Sequence, residues 1–312
     1  MRYHVIFNTQ AGLYRLRGQD YIAGLVRDYL DHKLAELDFV APQNMNAAFE
    51  KACAQAGDHC TVLVGGGDGT LRNAVKQAWY NNHSFGPLPG GTFNALTRHL
   101  GLGHDLKTAL QAYAENDIND KPLSIGTINH EPFIEAVSFN IDRAYLGKRK
   151  DWLRRFHLSQ AFRIAVAYPQ SIYGLLHDSR DYQYDLDRRA ISGSAKALRV
   201  TNNAFEPDRY VFDLFKDRSS RMNTGQLGVY SFSPETWYDF YRVARGMLGN
   251  RSLHEMPITA ETTQQLAVTH ANRQKIGLYI DGDRHIMDQP LYFTAVKDAV
   301  RLQVPMQPSR PC

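Results

Sequence analysis

The stretch TVLVGGGDGTLRNAV, residues 61–75, sets a carboxylate among glycines between an apolar run and a helical pattern. A strand–turn–helix of this kind leaves backbone N–H groups without intrahelical partners and points the positive end of the helix at whatever lies before it, which suits an anion. Gly65, Gly66, Gly67 and Gly69 permit close backbone approach and positive φ. The stretch is not a Walker A loop, because no Lys-Ser/Thr follows the glycines. As a dinucleotide fingerprint it is poor: Gly65 and Gly67 fit G-x-G, but Thr70 stands where the third glycine belongs. A purely structural reading makes it a tight turn, with Asp68 and Thr70 capping the helix. Asp68 argues against that reading. A carboxylate among phosphate-cradling amides is repulsive unless a cation or a proton-transfer task compensates.

A second turn of the same kind follows in GPLPGGTFNALTRHLG, residues 86–101. Pro89, Gly90, Gly91, Thr92 and Asn94 lead into a short helical segment that Gly101 ends. Two Gly-Thr turns at neighbouring strand ends could clamp opposite sides of one nucleotide, a far more specific signal than either turn alone.

The elements that must position these turns alternate. Val5–Phe7 is a short apolar strand, and residues 19–34 carry Ile22, Leu25, Val26, Tyr29 and Leu30 at helical spacing. A strand at 37–40, a helix over 44–56 and a strand at 61–64 follow. The helix from Thr70 onward is expected to bury Leu71, Ala74, Val75, Ala78 and Trp79, an i, i+3, i+4, i+7, i+8 stripe. This order predicts a parallel sheet with helices on its faces, whose ligands sit beyond the carboxyl ends of the strands. From about residue 122 the pattern changes to short β-branched and aromatic segments separated by turns, at 195–201, 208–215, 226–232, 264–270, 275–281 and 291–294. PLSIGTI and PFIEAVSFNI are strands around an Asn129-His130 turn, and helices are expected at 151–168 and 235–248. The expected organisation is an α/β domain over 1–122 and an antiparallel, β-sandwich-like domain over 123–294. Residues 295–312 would be a closing strand and tail, a candidate to return to the first domain.

With 43% hydrophobic and 22% charged residues over 312 positions, the chain has the composition of an ordinary globular protein with room for two cores. No apolar run approaches the ~20 residues that span a bilayer. The start, MRYHVIFNTQ, lacks a signal peptide's apolar core and small-residue cleavage site. Cys53, Cys60 and Cys312 are too scattered for a disulfide framework or a zinc site, so a reducing, cytoplasmic setting is expected. The formal charge is only +4, but Lys148, Arg149, Lys150, Arg154 and Arg155 fall together around Trp152 and Phe156. That mixture suits an anionic membrane surface, here the inner face of the membrane, and it equally suits a solvated basic helix face. Nucleic acid is disfavoured, because no larger basic stripe or binding module accompanies the cluster.

GGGDGTLRNAV together with LPGGTFNALTRHLG resembles the catalytic domain shared by diacylglycerol kinases, sphingosine kinases and ceramide kinases, the bacterial soluble lipid kinases above all. FNTQAG (7–12) is similar to that family's first loop, usually Asn-Pro-x-Ser-Gly, with Asn8 and Gly12 retained. YIDGDRHI (279–286) stands where the family has Asp-Gly-Glu, and AVRLQVP (299–305) resembles its closing strand. The resemblance implies an ATP-binding α/β domain and a β domain that supplies acceptor contacts. It implies nucleotide binding by Asn8, Gly12, Gly66, Gly67, Gly69, Thr70, Gly91, Thr92 and Asn94, and action of Asp68 with Mg²⁺-bound ATP. Phosphoryl transfer needs neutralised phosphates, an in-line hydroxyl and a base near it. Asp281 and Asp283 are the candidate bases. Without the resemblance, Asp-Gly between alternating strands is a hairpin turn; with it, Asp283 is preferred.

Four departures fall in the acceptor half. Asp283 replaces the family's glutamate and is one methylene shorter, and Ser124 stands where an Asp before Leu-Gly is frequent. MNTGQLGVY offers Asn223 and Thr224 where some bacterial relatives have a metal-binding Asp-Asp-Gly, so no structural metal site is expected. Glu135 and Asn140 occupy positions where relatives commonly have Asn and Gly. The expected activity is an ATP-dependent kinase acting on the hydroxyl of a membrane lipid alcohol, whether diacylglycerol, ceramide, a sphingoid base or monoacylglycerol. An NAD kinase would share the Gly-Gly-Asp-Gly-Thr turn but normally carries a later Asn-Glu pair, and Glu115-Asn116 has the reverse order. A non-catalytic nucleotide-binding regulator would have little need of Asp68.

Overall fold

Strand β1 (Arg2–Asn8) is buried at every position after Arg2 because it is covered on both faces, as a central parallel strand is. The computed structural model describes residues 1–57, 60–92, 94–140, 182–186, 191–202, 224–248 and 258–306. The basic cluster Lys148–Phe156, the expected helix at 151–168, the expected strand at 208–215, Asn223 and Cys312 lie outside them. Contacts divide the chain into two units, the first comprising residues 1–125 and 297–312 and the second most of 126–296.

In the first unit β1 is followed by α1 (Gly12–Leu30), β2 (Leu34–Val40), α2 (Met45–Ala56), β3 (Cys60–Gly66), α3 (Asp68–Asn81), β4 (Ser84–Pro89), α4 (Ala95–His99), α5 (Leu106–Glu115) and β5 (Ile118–Ile128). The parallel order is β2-β1-β3-β4, and the later part of the closing strand β16 (Leu291–Pro305) adds beside β4, with Arg301 opposite Ser84. Helix α1 starts earlier than periodicity predicts and ends before Leu34. Gly18, at φ 81 and ψ 174, kinks it, and only the part beyond the kink presents buried Ile22, Ala23, Val26 and Leu30. Residues 31–33 form a 3₁₀ turn, so Leu34 begins a strand rather than ending the helix. On α3, Leu71, Ala74, Val75 and Ala78 are buried as expected, whereas Trp79 is half-buried and stacks on Tyr80 at 5.1 Å between ring centroids.

Two tyrosines lock the closing strand to this unit. The Tyr3 hydroxyl donates to the Tyr113 carbonyl at 2.7 Å, and the Tyr113 hydroxyl donates to the Gln303 carbonyl at 3.0 Å. Burial, with the Asp117 charge adding to it, pushes the Tyr3 phenol up to about 12. Burial also raises Tyr113 well above its usual range and takes the Cys53 thiol to about 12. These groups keep their protons in the folded protein at a pH where the unfolded chain loses them. The unfolded state then binds fewer protons, so stability is full below the ordinary thiol and phenol range and falls as pH rises through it toward 12. Urea midpoints measured from pH 7 upward are expected to stay flat to about pH 8 and then decline. Tyr3→Phe should flatten part of that decline.

The second unit is antiparallel. It contains β6 (Glu131–Phe133), β7 (Ala136–Phe139), β8 (Tyr182–Leu186), β9 (Ile191–Ala195), β10 (Ala197–Asn202), β11 (Leu227–Phe232), α6 (Trp237–Leu248), β12 (Thr259–Thr263), β13 (Gln265–His270), β14 (Lys275–Ile280) and β15 (Asp283–Asp288). One sheet runs β12-β11-β10-β7-β14-β15, and β9-β8-β13 joins the first residues of β16 in the other. Alternate residues from both sheets, among them Phe139, Val200, Val229, Val268, Leu278 and Phe293, bury into one core, which is the inward alternation of a sandwich. The expected turn between β5 and β6 is present, with Asn129 and His130 at φ 44 and 68, the left-handed pair that a two-residue hairpin requires.

Candidate functional site

The carboxyl ends of β1, β3 and β4 bring three loops of the first unit together, and backbone hydrogen bonds lace them. Gly90 N–H donates to the Gly66 carbonyl at 2.8 Å, and Leu13 N–H donates to the Gly90 carbonyl at 2.9 Å. Asn8, the buried last residue of β1, donates from Nδ2 to Thr70 Oγ1 at 2.7 Å and accepts Gln10 N–H on Oδ1 at 2.8 Å. The space beside Gly12 is bounded by the Gly90 carbonyl and Thr92 Oγ1. Asn8, Gly12, Gly66, Gly67, Gly69, Thr70, Gly91, Thr92 and Asn94 therefore belong to one cluster. Gly66 and Asn8 form its buried floor, and Gly69 and Thr92 lie exposed at its rim.

The apolar strand does not stop at the glycines but runs through Gly65 and Gly66. What requires glycine is proximity: a Cβ on Gly66 would lie 2.5 Å from Thr70 Cβ, and one on Gly91 would lie 2.6 Å from Gly67 Cα. The two turns pack backbone to backbone, and no side chain fits between them. Gly67, not Asp68, is the N-cap of α3, and it offers no side-chain cap. The first helical bond is Leu71 N–H to the Gly67 carbonyl at 3.0 Å, so the amides of residues 68–70 precede the hydrogen-bonded ladder. Asp68 is half-buried at that positive end, and its Oδ2 accepts the Asn94 N–H at 3.2 Å. The capping role allowed by the sequence is not what the carboxylate does. It faces the neighbouring turn.

Asn94 is 2% exposed and sits at φ 50, ψ 47. Its Oδ1 accepts Gly91 N–H at 2.7 Å, and its two Nδ2 hydrogens go to the carbonyls of Gly91 (3.1 Å) and His104 (3.0 Å). The side-chain amide is spent on the loop itself, so Asn94 holds the cradle in shape. Asn94→Ala would leave the Gly91 N–H and the carbonyls of Gly91 and His104, all part-buried, without this partner, and a loss of about 1–3 kcal/mol in urea unfolding is expected.

Beside Thr70 lies a recess that sequence reasoning did not find. Met45, Phe49, Val64 and Ala74 wall it, and Asn46, Asn73 and Gln77 give it an amide edge on which Asn73 donates to Asn46. Its residues come from two helices and β3, the helical ones at core-like spacing, so in sequence they look like one more buried stripe.

The second unit places the other candidates. Asp281 and Gly282, at φ 46 and 89, form the two-residue turn of the β14–β15 hairpin, with Ile280 opposite Asp283. The Asp281 carboxylate accepts three backbone N–H groups: Ile134 on Oδ2 at 2.9 Å, and Glu135 and Ala136 on Oδ1 at 2.8 and 2.9 Å. Asp283 is exposed at the start of β15. Among the departures, Ser124 is buried and its Oγ accepts Asp298 N–H at 3.3 Å. Asn140 adopts φ 61, so it keeps the left-handed backbone for which relatives' glycine is suited. Thr224 makes a local turn contact with Gln226. His4, Glu36 and Asp38 also cluster across β1 and β2, but Asp38 meets His4 Nε2 at 2.9 Å while Glu36 approaches Nδ1 at 3.6 Å. The carboxylates bracket the ring from the neighbouring strand.

Residues 2–126 match the family model of the diacylglycerol kinase catalytic domain, so the resemblance carried by the two glycine turns holds for that stretch. The whole fold is similar to that of "a putative diacylglycerol kinase from Bacillus anthracis str. Sterne", at 14% identity and a TM-score of 0.69, covering 97% of this chain and 96% of that one. A further structure of a diacylglycerol kinase from the same strain is similar at 15% identity and a TM-score of 0.65, with 97% and 96% coverage. At these identities the likeness establishes the two-domain fold. Among the described residues no helix is long and apolar enough to cross a membrane.

Proposed function

We propose, from the premise that residues 2–126 are a diacylglycerol kinase catalytic domain, that this chain is an ATP-dependent kinase whose acceptor is the hydroxyl of a membrane lipid alcohol. The observation that carries the proposal is the placement of Asp68, half-buried at the head of α3 within the laced glycine turns. Amides at the start of α3, with Thr70, offer donors to the phosphates of ATP, and Asn8 orients the Thr70 hydroxyl. Asp68 is the one carboxylate in the three loops, and Mg²⁺ commonly takes one or two carboxylates together with substrate phosphates. Bound there, Mg²⁺ would neutralise charge on the phosphate oxygens.

In the transfer, the lipid hydroxyl oxygen bonds to the γ-phosphorus, the bond to the β-phosphate oxygen breaks, ADP leaves, and the hydroxyl proton passes to a base. Asp283 is the candidate base, because the carboxylate of Asp281 is already occupied by three amides. The test is transfer of labelled γ-phosphate to diacylglycerol, ceramide, sphingosine and monoacylglycerol in mixed micelles, with NAD in solution beside them. A labelled lipid supports the proposal and names the acceptor. Label in NAD alone replaces it with a dinucleotide kinase, and ATP binding without any transfer replaces it with a regulator.

A further inference from the structure

Helix α6 turns an aromatic and cationic face to solvent. Tyr238, Tyr241, Arg242 and Arg245 stand at i, i+3, i+4 and i+7, so they form one stripe, and all four are exposed. Trp237 adjoins the stripe one turn before Tyr241. The exposures are 55% for Trp237, 63% for Tyr238 and 56% for Tyr241, and the two tyrosine rings lie 6.0 Å apart at 28°. Large aromatics left in water contribute little to the fold that carries them. The stripe carries no acid: the Asp239 carboxylate is turned onto the preceding loop, where it accepts Glu235 N–H and Thr236 N–H, each at 3.0 Å, and the Thr236 hydroxyl at 3.1 Å. Those bonds, first the one from Thr236, hold Asp239 below the usual carboxylate range, and Arg242 adds to this. Glu235 is exposed at the head of the helix, beyond the stripe.

We infer that this face docks on an anionic lipid surface. Trp and Tyr have an apolar body and a polar tip, which fits the boundary between acyl chains and headgroups, and guanidinium groups fork onto lipid phosphates. Aromatics followed by arginines on a single helix face, free of acid, complement a phosphate-rich interface in both polarity and charge. The inference rests on the lipid-kinase reading for its choice of a membrane over another partner. It rests on residues other than the basic cluster Lys148–Phe156.

The test is co-sedimentation of the full chain with phosphatidylcholine vesicles, with and without phosphatidylglycerol, at low and high salt. Binding is expected to need the anionic lipid and to weaken with salt. Arg242→Gln with Arg245→Gln should weaken it roughly five-fold per arginine. Tyr238→Ser with Tyr241→Ser should weaken binding to the phosphatidylglycerol-containing vesicles about ten-fold. Circular dichroism and phosphoryl transfer to a short-chain, water-dispersed acceptor should be unchanged in both variants. Vesicle binding that is unaffected by either variant overturns the inference and moves the contact elsewhere on the chain. Loss of self-association in these variants, with vesicle binding intact, overturns it in favour of a second copy of the chain. Vesicle binding lost in the variants of a protein that phosphorylates no lipid upholds this inference and removes the kinase reading.

Discussion

Asp68→Ala is expected to lower phosphoryl transfer from ATP about a thousand-fold or more, the scale seen when a group that stabilises charge on a transferring phosphoryl is lost. The stability cost should be small. The carboxylate sits at the positive end of α3, worth about 0.3–1 kcal/mol, and accepts one amide at 3.2 Å. Asp68→Asn separates two explanations of the loss. An asparagine oxygen can still accept the Asn94 N–H and hold the turns together, but it carries no charge to bind a cation. If Asn restores activity, Asp68 only positions the second turn; if Asn is as inactive as Ala, the charge is what matters. Binding of ATP without metal should survive in both variants, since removing a negative charge beside phosphates relieves repulsion.

Asp281→Ala should produce the largest loss of stability, about 3 kcal/mol or more, because a charged acceptor of three backbone N–H groups disappears. In thermal unfolding that amounts to roughly 10 °C for a unit of this size. Asp281→Asn should recover part of it, since one oxygen remains and Asn tolerates the φ of 46 that the turn imposes. Asp283→Ala gives the opposite profile: stability within about 0.5 kcal/mol of the parent and transfer reduced about a hundred-fold as general base catalysis is lost. Full activity in Asp283→Ala would remove that residue from the mechanism.

Much of the first unit was legible in the sequence because its signals are local. The stripe on α3 and the apolar runs of β1 and β3 follow from nearest-turn periodicity, and the 44–56 helix was placed to within a residue. The start of α1 was not legible, because residues before the kink at Gly18 bury little and show no stripe. Trp79 was assigned to the core by spacing alone, yet stacking on Tyr80 leaves it half in water. In the second unit β8, β9, β12 and β15 were not resolved as separate strands, since short segments are specified by their partners more than by their own pattern.

By itself the sequence determined that two glycine turns, one holding a carboxylate, must lie at neighbouring strand ends of a parallel sheet. Glycine spacing, strand–helix alternation and the lack of a Walker lysine are all properties of adjacent residues. Tertiary structure decided what each side chain is left to do. Asn94 folds back onto Gly91 and His104, and Asp281 is engaged by amides some 145 positions away. The α6 pattern announces a helix, but only the packed fold shows that its tyrosines and arginines face water. Hydrogen-bond partners far apart in the chain, and the choice of which helix face is covered, are settled by packing, which no local spacing encodes.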